Sequence, residues 1–175
     1  GNAWTDPINF STNINYKAND IYASYSPGNT FIYYAKDNAN GKNGYDIYVS
    51  GVMNRPQRKY GTPNRINSIT SPFNDGPIYL DADGETMYFA SEGFNSMGGF
   101  DIFKVKKEGG DWGKPVNMGY PINTPYDDFF FASSANGKYA YITSNREGGK
   151  GGYDIYRVTF WGPEKTPAMS VEDYL

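Results

Sequence analysis

The chain has 175 residues, a net charge of −3 and neither cysteine nor histidine. It therefore has no means of forming disulfides, histidine-ligated zinc sites or the serine–histidine and cysteine–histidine pairs of many hydrolases. Its lysines and arginines are scattered singly, which argues against nucleic-acid binding, and no apolar run is long enough to predict a membrane span. The 17 tyrosines, 11 phenylalanines and 21 glycines predict one domain of short strands joined by tight turns.

The first predicted element is an edge strand, signalled by an aromatic residue followed three positions later by proline. Proline is tolerated in an outer strand because the N–H that it lacks would face solvent. The signal occurs three times, at Trp4 and Pro7, Tyr60 and Pro63, and Trp112 and Pro115. We therefore predict three outer strands.

An acidic residue, Asp20, precedes the next predicted strand, which covers residues 21–25 and is joined by a glycine–asparagine turn to a second strand at 30–35. A polar loop follows, and a third strand begins at a tag of glycine, aromatic, aspartate, isoleucine and aromatic at residues 44–48. The same succession recurs twice, with tags at 99–103 and 152–156. The stretches that align without a gap are 20–49, 75–104 and 128–157.

Four antiparallel strands in each of three repeats are typical of the blades of a β-propeller. We predict an all-β fold, a β-propeller segment with three four-stranded antiparallel blades. A β-sandwich is the alternative, but it does not require this repeat. The propeller is predicted to span 4–162, with repeats at 4–52, 60–107 and 112–160, before an exit linker at 163–175.

A closed propeller has about four to eight blades, so three leave the ring incomplete. Further blades of a longer protein, association of two chains as three plus three, or an open array would each account for the number. By strand-exchange closure, the strand at Trp4 is expected to complete the last blade, residues 128–160, of this chain or of a partner. Self-association is therefore one expected partnership.

Two columns of aspartates are the candidate functional positions. The tag aspartates are predicted to have a structural role, accepting backbone N–H groups behind the glycine turn. These positions are Asp46, Asp101 and Asp154, with glycines Gly44, Gly99 and Gly152. The second column is Asp20, Asp75 and Asp128. It is predicted either to ring the central channel and contact a cation or basic partner, or to cap the start of each first strand.

Other acidic and glycine-rich segments do not predict catalysis or a cofactor. Residues 81–85 resemble a calcium loop but lack its further oxygen ligands, so a hairpin turn explains them. Asp127 and Asp128 are consecutive and point to opposite faces of a strand, unlike a glycosidase pair. The glycines of 148–152 lack the spacing of a phosphate-binding loop. We predict no catalytic residue, no metal site and no cofactor.

The turn, apolar strand and glycine-rich loop before each tag resemble the WD40-like propeller repeat of TolB-type proteins. The longer tags at 98–103 and 151–156 are similar to those of Bacteroidetes OmpA-family proteins, and the resemblance covers about residues 4–167. Those proteins are peptidoglycan-associated and lie at the periplasmic side of the outer membrane, and some serve type IX secretion and gliding. Their peptidoglycan binding belongs to a separate OmpA-like domain, so it is not expected of residues 1–175.

The resemblance implies a non-catalytic protein-interaction or scaffold module. Its expected location is the periplasm, in association with the outer membrane, and its expected partners are other envelope and secretion proteins. No nucleic acid and no direct membrane span are expected. The alternative is a carbohydrate-active or peptidase-associated propeller with an acidic central mouth.

Overall fold

The computed structural model describes residues 4, 6–37, 44–54, 56–57 and 59–163. In this part of the chain, antiparallel strands form three successive sheets, and two single 3₁₀ turns lie at Pro27–Asn29 and Asn67–Ile69. None of the described helical segments is long and apolar enough to cross a membrane.

The first sheet contains three long strands followed by a divided outer strand. Its strands are β1 (Asp20–Tyr25), β2 (Phe31–Asp37), β3 (Tyr45–Asn54), β4 (Lys59–Tyr60) and β5 (Asn64–Arg65). Both β4 and β5 pair with β3, on either side of the predicted proline position. The outer strand is therefore split, because proline has no N–H to donate to the ladder.

The second sheet repeats this arrangement. Its strands are β6 (Asp75–Leu80), β7 (Thr86–Ser91), β8 (Asp101–Glu108), β9 (Asp111–Trp112) and β10 (Val116–Asn117). The short strands β9 and β10 both pair with β8 and flank Pro115.

The third sheet has three strands in the described chain, β11 (Asp128–Ser133), β12 (Tyr139–Ser144) and β13 (Asp154–Thr159). The prediction of four strands is therefore wrong for this sheet within a single chain, while a fourth strand supplied by a partner stays a prediction. The described residues 4 and 6–19 contain no strand, and the side chain of Trp4 is 99% exposed. Within one chain, Phe10 and Ile14 pack against the first sheet, which holds this segment away from β13.

The sheets stack in chain order, each against the next. Sheets one and two share a core that includes Tyr33, Ile47, Phe89 and Phe103. Sheets two and three share another, in which the rings of Tyr88 and Phe131 stack at 3.9 Å between centroids. The first strands lie side by side, since β6 contacts both β1 and β11. This succession of antiparallel sheets is an all-β, propeller-like arrangement.

The predicted repeat units are offset from these sheets, because each outer strand pairs with the sheet that precedes it in the chain. The predicted bounds therefore describe repeats of the sequence and not the separate sheets. These bounds are 4–52, 60–107 and 112–160. Residues 164–175, most of the predicted exit linker, lie outside the described part of the chain.

Candidate functional site

Both predicted columns of aspartates lie on one face of the stacked sheets, which we call the tag face. Here each first strand begins, each second strand ends and each third strand begins. The aligned rows are Asp20–Lys36–Asp46, Asp75–Ser91–Asp101 and Asp128–Ser144–Asp154. Each sheet thus brings one member of each column into a single row, separated by the middle strand.

The tag aspartates contact the loops that precede them. Asp101 is fully buried, and its Oδ2 accepts hydrogen bonds from the Met97 N–H at 2.9 Å and the Asn117 Nδ2 at 2.8 Å. Burial raises the pKa of Asp101, and these bonds oppose that rise. Asp154 accepts the backbone N–H of Lys150 at 2.7 Å. This is the geometry expected of carboxylates that hold a loop, a role that stays a prediction.

Asp46 has a different partner at the equivalent position. Its Oδ2 accepts the Nε–H of Arg65 at 2.8 Å, and the side chain of Asp46 is buried. Arg65 on β5 occupies the position that Asn117 occupies on β10, opposite the last aromatic residue of the tag. An outer-strand side chain therefore reaches the tag aspartate in both complete sheets. Residues 38–43, the loop before this tag, lie outside the described chain.

The tag glycines make room for contacts between sheets. The Oδ1 of Asn74 accepts the Tyr45 N–H at 3.1 Å, and the Oδ1 of Asp127 accepts the Phe100 N–H at 3.1 Å. A Cβ on Gly44 would overlap the first of these oxygens, and one on Gly99 would overlap the second. Glycine is therefore required where the next sheet bonds to the tag.

The third tag glycine has a different environment. A Cβ on Gly152 would meet no atom within 4 Å in the described structure. In the first two tags, the corresponding space is filled by the segment that leads into the next sheet. The third tag is therefore open.

The second column of aspartates is turned inward. Asp75 is fully buried and accepts the Ser71 N–H at 2.7 Å and the Ser91 hydroxyl at 2.6 Å. Burial raises its pKa to about 6, although those hydrogen bonds act in the opposite direction. Asp128 is also fully buried and pairs with the Arg146 guanidinium at 2.6 Å.

Asp20 is the least enclosed member of this column. Its carboxylate lies 3.6 Å from the Lys36 ammonium, with 9% of its side chain exposed. Its Oδ2 also accepts the Tyr16 N–H at 3.4 Å. Across the column, burial and backbone donors favour the strand-cap interpretation. Contact of these carboxylates with a partner in a central mouth stays a prediction.

Exposed apolar side chains give the tag face its character. Six of them are between 41% and 56% exposed, namely Phe73, Phe94, Met97, Tyr126, Phe130 and Tyr153. The opposite face, which we call the turn face, carries the β-hairpin turns at 26–30, 81–85 and 134–138, and these contain no aromatic residue. The tag-face loops thus carry exposed aromatic side chains that these hairpin turns lack, while Phe31, Met53 and Trp161 are exposed elsewhere on the chain.

Two aromatic residues, one in β1 and one in β11, have unusual backbone conformations. Tyr22 and Phe130 each follow the first-strand aspartate by two residues and have left-handed φ values of 58° and 52°. Each lies within a register shift of its strand. Their rings meet edge to face at 5.7 Å, although they belong to the first and third sheets. Such a backbone costs about 1–3 kcal/mol and often marks a functional site.

The acidic segment at 81–85 has the hydrogen bonds of a hairpin turn. Asp83 Oδ1 accepts the N–H groups of Glu85 at 2.9 Å and Thr86 at 2.8 Å, as expected for a hairpin turn. In the described parts of the chain, no three acidic side chains are grouped to hold a metal ion.

Sequence reasoning missed the buried amide of Asn123. Its Oδ1 accepts the Ile102 N–H and its Nδ2 donates to the Ile102 carbonyl, both at 2.8 Å, so the side chain pairs with the third strand as a neighbouring strand would. It also donates to the Asn117 Oδ1 at 2.8 Å. An alignment of residues 4–20 with 112–128 would have shown an asparagine in both copies, at Asn15 and Asn123.

No protein-family profile and no curated protein sequence matches this chain. Among solved structures, it is similar to a protein provisionally named TolB from Agrobacterium tumefaciens, with a TM-score of 0.52 and 18% sequence identity. The match covers 78% of this chain and 41% of that chain, so the chain spans less than half of its neighbour's length. At this identity the likeness concerns the fold alone. It agrees with the stacked sheets in showing a propeller-like, all-β chain.

Proposed function

We propose that this chain is a non-catalytic protein-interaction module that binds partners through its tag face. The observation that carries the proposal is the group of six half-exposed apolar side chains on that face. Aromatic residues and methionine are enriched at protein–protein interfaces, whereas charged residues are depleted at their centres. The aspartates beneath this surface are mostly buried and paired, so their charge does not oppose an apolar partner.

The scaffold beneath the tag face is rigid enough to present these side chains. The loops there are held by backbone bonds to buried carboxylates, including Met97 to Asp101 and Ser71 to Asp75. Phe73 and Tyr126 each lie two residues before a first-strand aspartate, so both are fixed next to an anchored position. Side chains that are already ordered lose less entropy on binding.

We further propose that the module works in the periplasm, within a protein associated with the outer membrane and peptidoglycan. It would act as an assembly or scaffold module, in particular for the type IX secretion machinery. Support comes from the tags at 98–103 and 151–156, which resemble those of Bacteroidetes OmpA-family proteins, and from a structural neighbour named TolB.

A pull-down from Bacteroidetes envelope extract tests this function. We compare the wild-type chain with a Phe73→Ser, Tyr126→Ser double variant and with Phe31→Ser as the matched control. Phe31 is 46% exposed but lies at the start of β2, next to the turn face. Because interface aromatics often contribute more than about 1 kcal/mol each, the double variant should recover at least about tenfold less of the partner. Equal recovery by all three proteins, or no envelope protein recovered by wild type, would contradict the proposal.

The enzymatic alternative has less support. Asp128 has no exposed surface and is neutralised by Arg146, so it offers no free carboxylate to a sugar or peptide. Screens of glycan and peptide hydrolysis should therefore show no activity that Asp128→Asn removes.

A further inference from the structure

We propose that the open third tag binds the segment 9–20 and the first sheet of a second copy of this chain. Two copies would then close a ring of six sheets. This interface lies at the side of the third sheet and borders Phe130 and Tyr153 of the partner-binding surface proposed above. Phe73 and Tyr126, which the pull-down variants change, lie outside the third tag.

The third tag lacks the cover that the first two have. The isoleucine of the tag is 0% exposed at Ile47 and 1% exposed at Ile102, but 77% exposed at Ile155. The space beside the tag glycine is likewise filled at Gly44 and Gly99 and empty at Gly152. A side chain that is buried in two equivalent positions is exposed in the third because no sheet follows it in the described chain.

The second tag shows what kind of segment provides the cover. Residues 117–128, which connect the second sheet to the third, bond to this tag in three places. Asn117 donates to the Asp101 carboxylate, Asn123 pairs with the backbone of Ile102, and Asp127 accepts the N–H of Phe100.

The same polar side chains occur in the segment before the first sheet. Residues 4–20 align with 112–128 without a gap, and the positions of Asn117, Asn123 and Asp127 are taken by Asn9, Asn15 and Asn19. Asparagine at position 19 can accept the backbone N–H as Asp127 does, because Asn74 does so in the first tag.

This segment already has the required conformation. The Ser11 carbonyl accepts the N–H groups of Ile14 and Asn15 at 2.9 and 3.0 Å, and the Asn15 amide donates to the Asn9 Oδ1 at 2.6 Å. In the covering segment, the Gly119 carbonyl accepts the N–H groups of residues 122 and 123 at 3.0 and 2.9 Å, and the amide of residue 123 donates to residue 117 at 2.8 Å. The binding element is therefore formed before its target is present, which lowers the entropic cost of binding.

The apolar surfaces correspond as well. Ile102 packs in a cluster with Ile122, Phe131 and Ile142. The aligned residues before and within the first sheet are Ile14, Ala23 and Tyr34, which line one shallow cavity of about 180 Å³. On the third sheet, Tyr141 and Ile155 line another cavity of about 180 Å³. Ile14 and Tyr34 are themselves buried within their own chain, so the part of the first sheet that would receive the exposed Ile155 is the shallow cavity that they line.

A second copy fits this role because the segment and its target lie apart within one chain. Phe10 and Ile14 hold the segment on the first sheet, and the second sheet lies between that sheet and the third except where the rings of Tyr22 and Phe130 meet. Two copies related by a two-fold axis would form two identical contacts, each joining the third sheet of one copy to the first sheet of the other. The resulting six sheets lie within the usual range for a closed propeller.

Sedimentation equilibrium of the full chain tests the proposal. Wild type should associate to twice its mass of 19.6 kDa, with no larger species. Gly152→Leu and Ile155→Asp should abolish the dimer, because a Cβ at position 152 would meet no atom within 4 Å in the single chain and residue 155 is 77% exposed there, so both new side chains would enter the contact. Gly162→Leu is the matched control, since this glycine is also exposed with no neighbour within 4 Å, and it should leave the dimer unchanged. A monomer at every concentration, open-ended oligomers, or a dimer insensitive to Gly152→Leu would overturn the proposal.

A cross-link provides a second measurement that does not depend on the stability of these variants. The chain has no cysteine, so Asn19→Cys and Gly152→Cys each introduce one. An oxidised mixture of the two single variants should yield a disulfide-linked heterodimer, and a mixture with Gly162→Cys in place of Gly152→Cys should not. Equal yields from both mixtures would contradict the contact. Loss of the dimer with retained recovery of envelope partners would separate this inference from the proposed function.

Discussion

Replacement of Asn123 by alanine should destabilise the chain strongly, because this side chain satisfies both backbone groups of Ile102. Asn123 is fully buried and makes three hydrogen bonds of 2.8 Å. Each backbone group left unpaired in the interior costs about 1–3 kcal/mol. We therefore expect the free energy of unfolding to fall by about 4 kcal/mol. With a urea slope of about 2 kcal/mol/M, the midpoint would move by about 2 M.

Urea titration followed by tryptophan fluorescence measures this loss, because Trp112 is only 8% exposed and becomes solvated on unfolding. Asn64→Ala is the control, since Asn64 is exposed and its amide makes a single bond of 3.4 Å. Its effect should lie within about 0.5 kcal/mol. A loss below about 1 kcal/mol for Asn123→Ala would show that this amide does not take the place of a strand partner.

Three further predictions concern the carboxylates and glycines of the tag face. Arg146→Ala should lower the free energy of unfolding by about 3 kcal/mol, because it leaves Asp128 buried without its cation, whereas the exposed Arg157→Ala should change the melting temperature little. The raised pKa of Asp75, about 6 against an ordinary 3.8, means that the folded chain keeps a proton that the unfolded chain has lost. The free energy of unfolding should therefore fall by about 3 kcal/mol as the pH rises from about 4 to about 6. Urea titrations across this range measure the change, and Asp75→Asn should remove it. Gly98→Ala should cost about 1–3 kcal/mol by thermal unfolding, since its Cβ would lie 2.5 Å from a backbone carbonyl oxygen of the following segment; no measurable loss would contradict the packing described for that loop.

The repeated tags made the three sheets predictable, because aspartate, isoleucine and aromatic residues recur at the start of each third strand. The sequence predicted the division of each outer strand into two short strands less directly. Proline at positions 63 and 115 indicated an edge strand, but division of the strand depends on how many ladder bonds remain on each side. Within one chain the prediction for the Trp4 strand is wrong, because an outer strand needs a third strand beside it and this segment packs on the first sheet instead. Completion of a partner's third sheet stays a prediction.

The environment of the aspartates was the least predictable part of the candidate site. Asp75 and Asp128 have the same sequence context as a solvent-facing cap, but each contacts a side chain distant along the chain, Ser91 for Asp75 and Arg146 for Asp128. The left-handed conformations of Tyr22 and Phe130 have no marker in sequence, because glycine rather than an aromatic residue usually signals positive φ. The exposed aromatic side chains of the tag face are those that remain outside the three core clusters. Which aromatic residues these are depends on how the sheets pack against one another.

Hydrogen–deuterium exchange of the chain with and without its captured partner shows directly which face binds. We expect slower exchange in the tag-face loops at 92–100 and 124–130 when the partner is bound, and unchanged exchange in the turn-face loops at 81–85 and 134–138. Protection confined to the turn-face loops would contradict the assignment of the aromatic face as the binding surface.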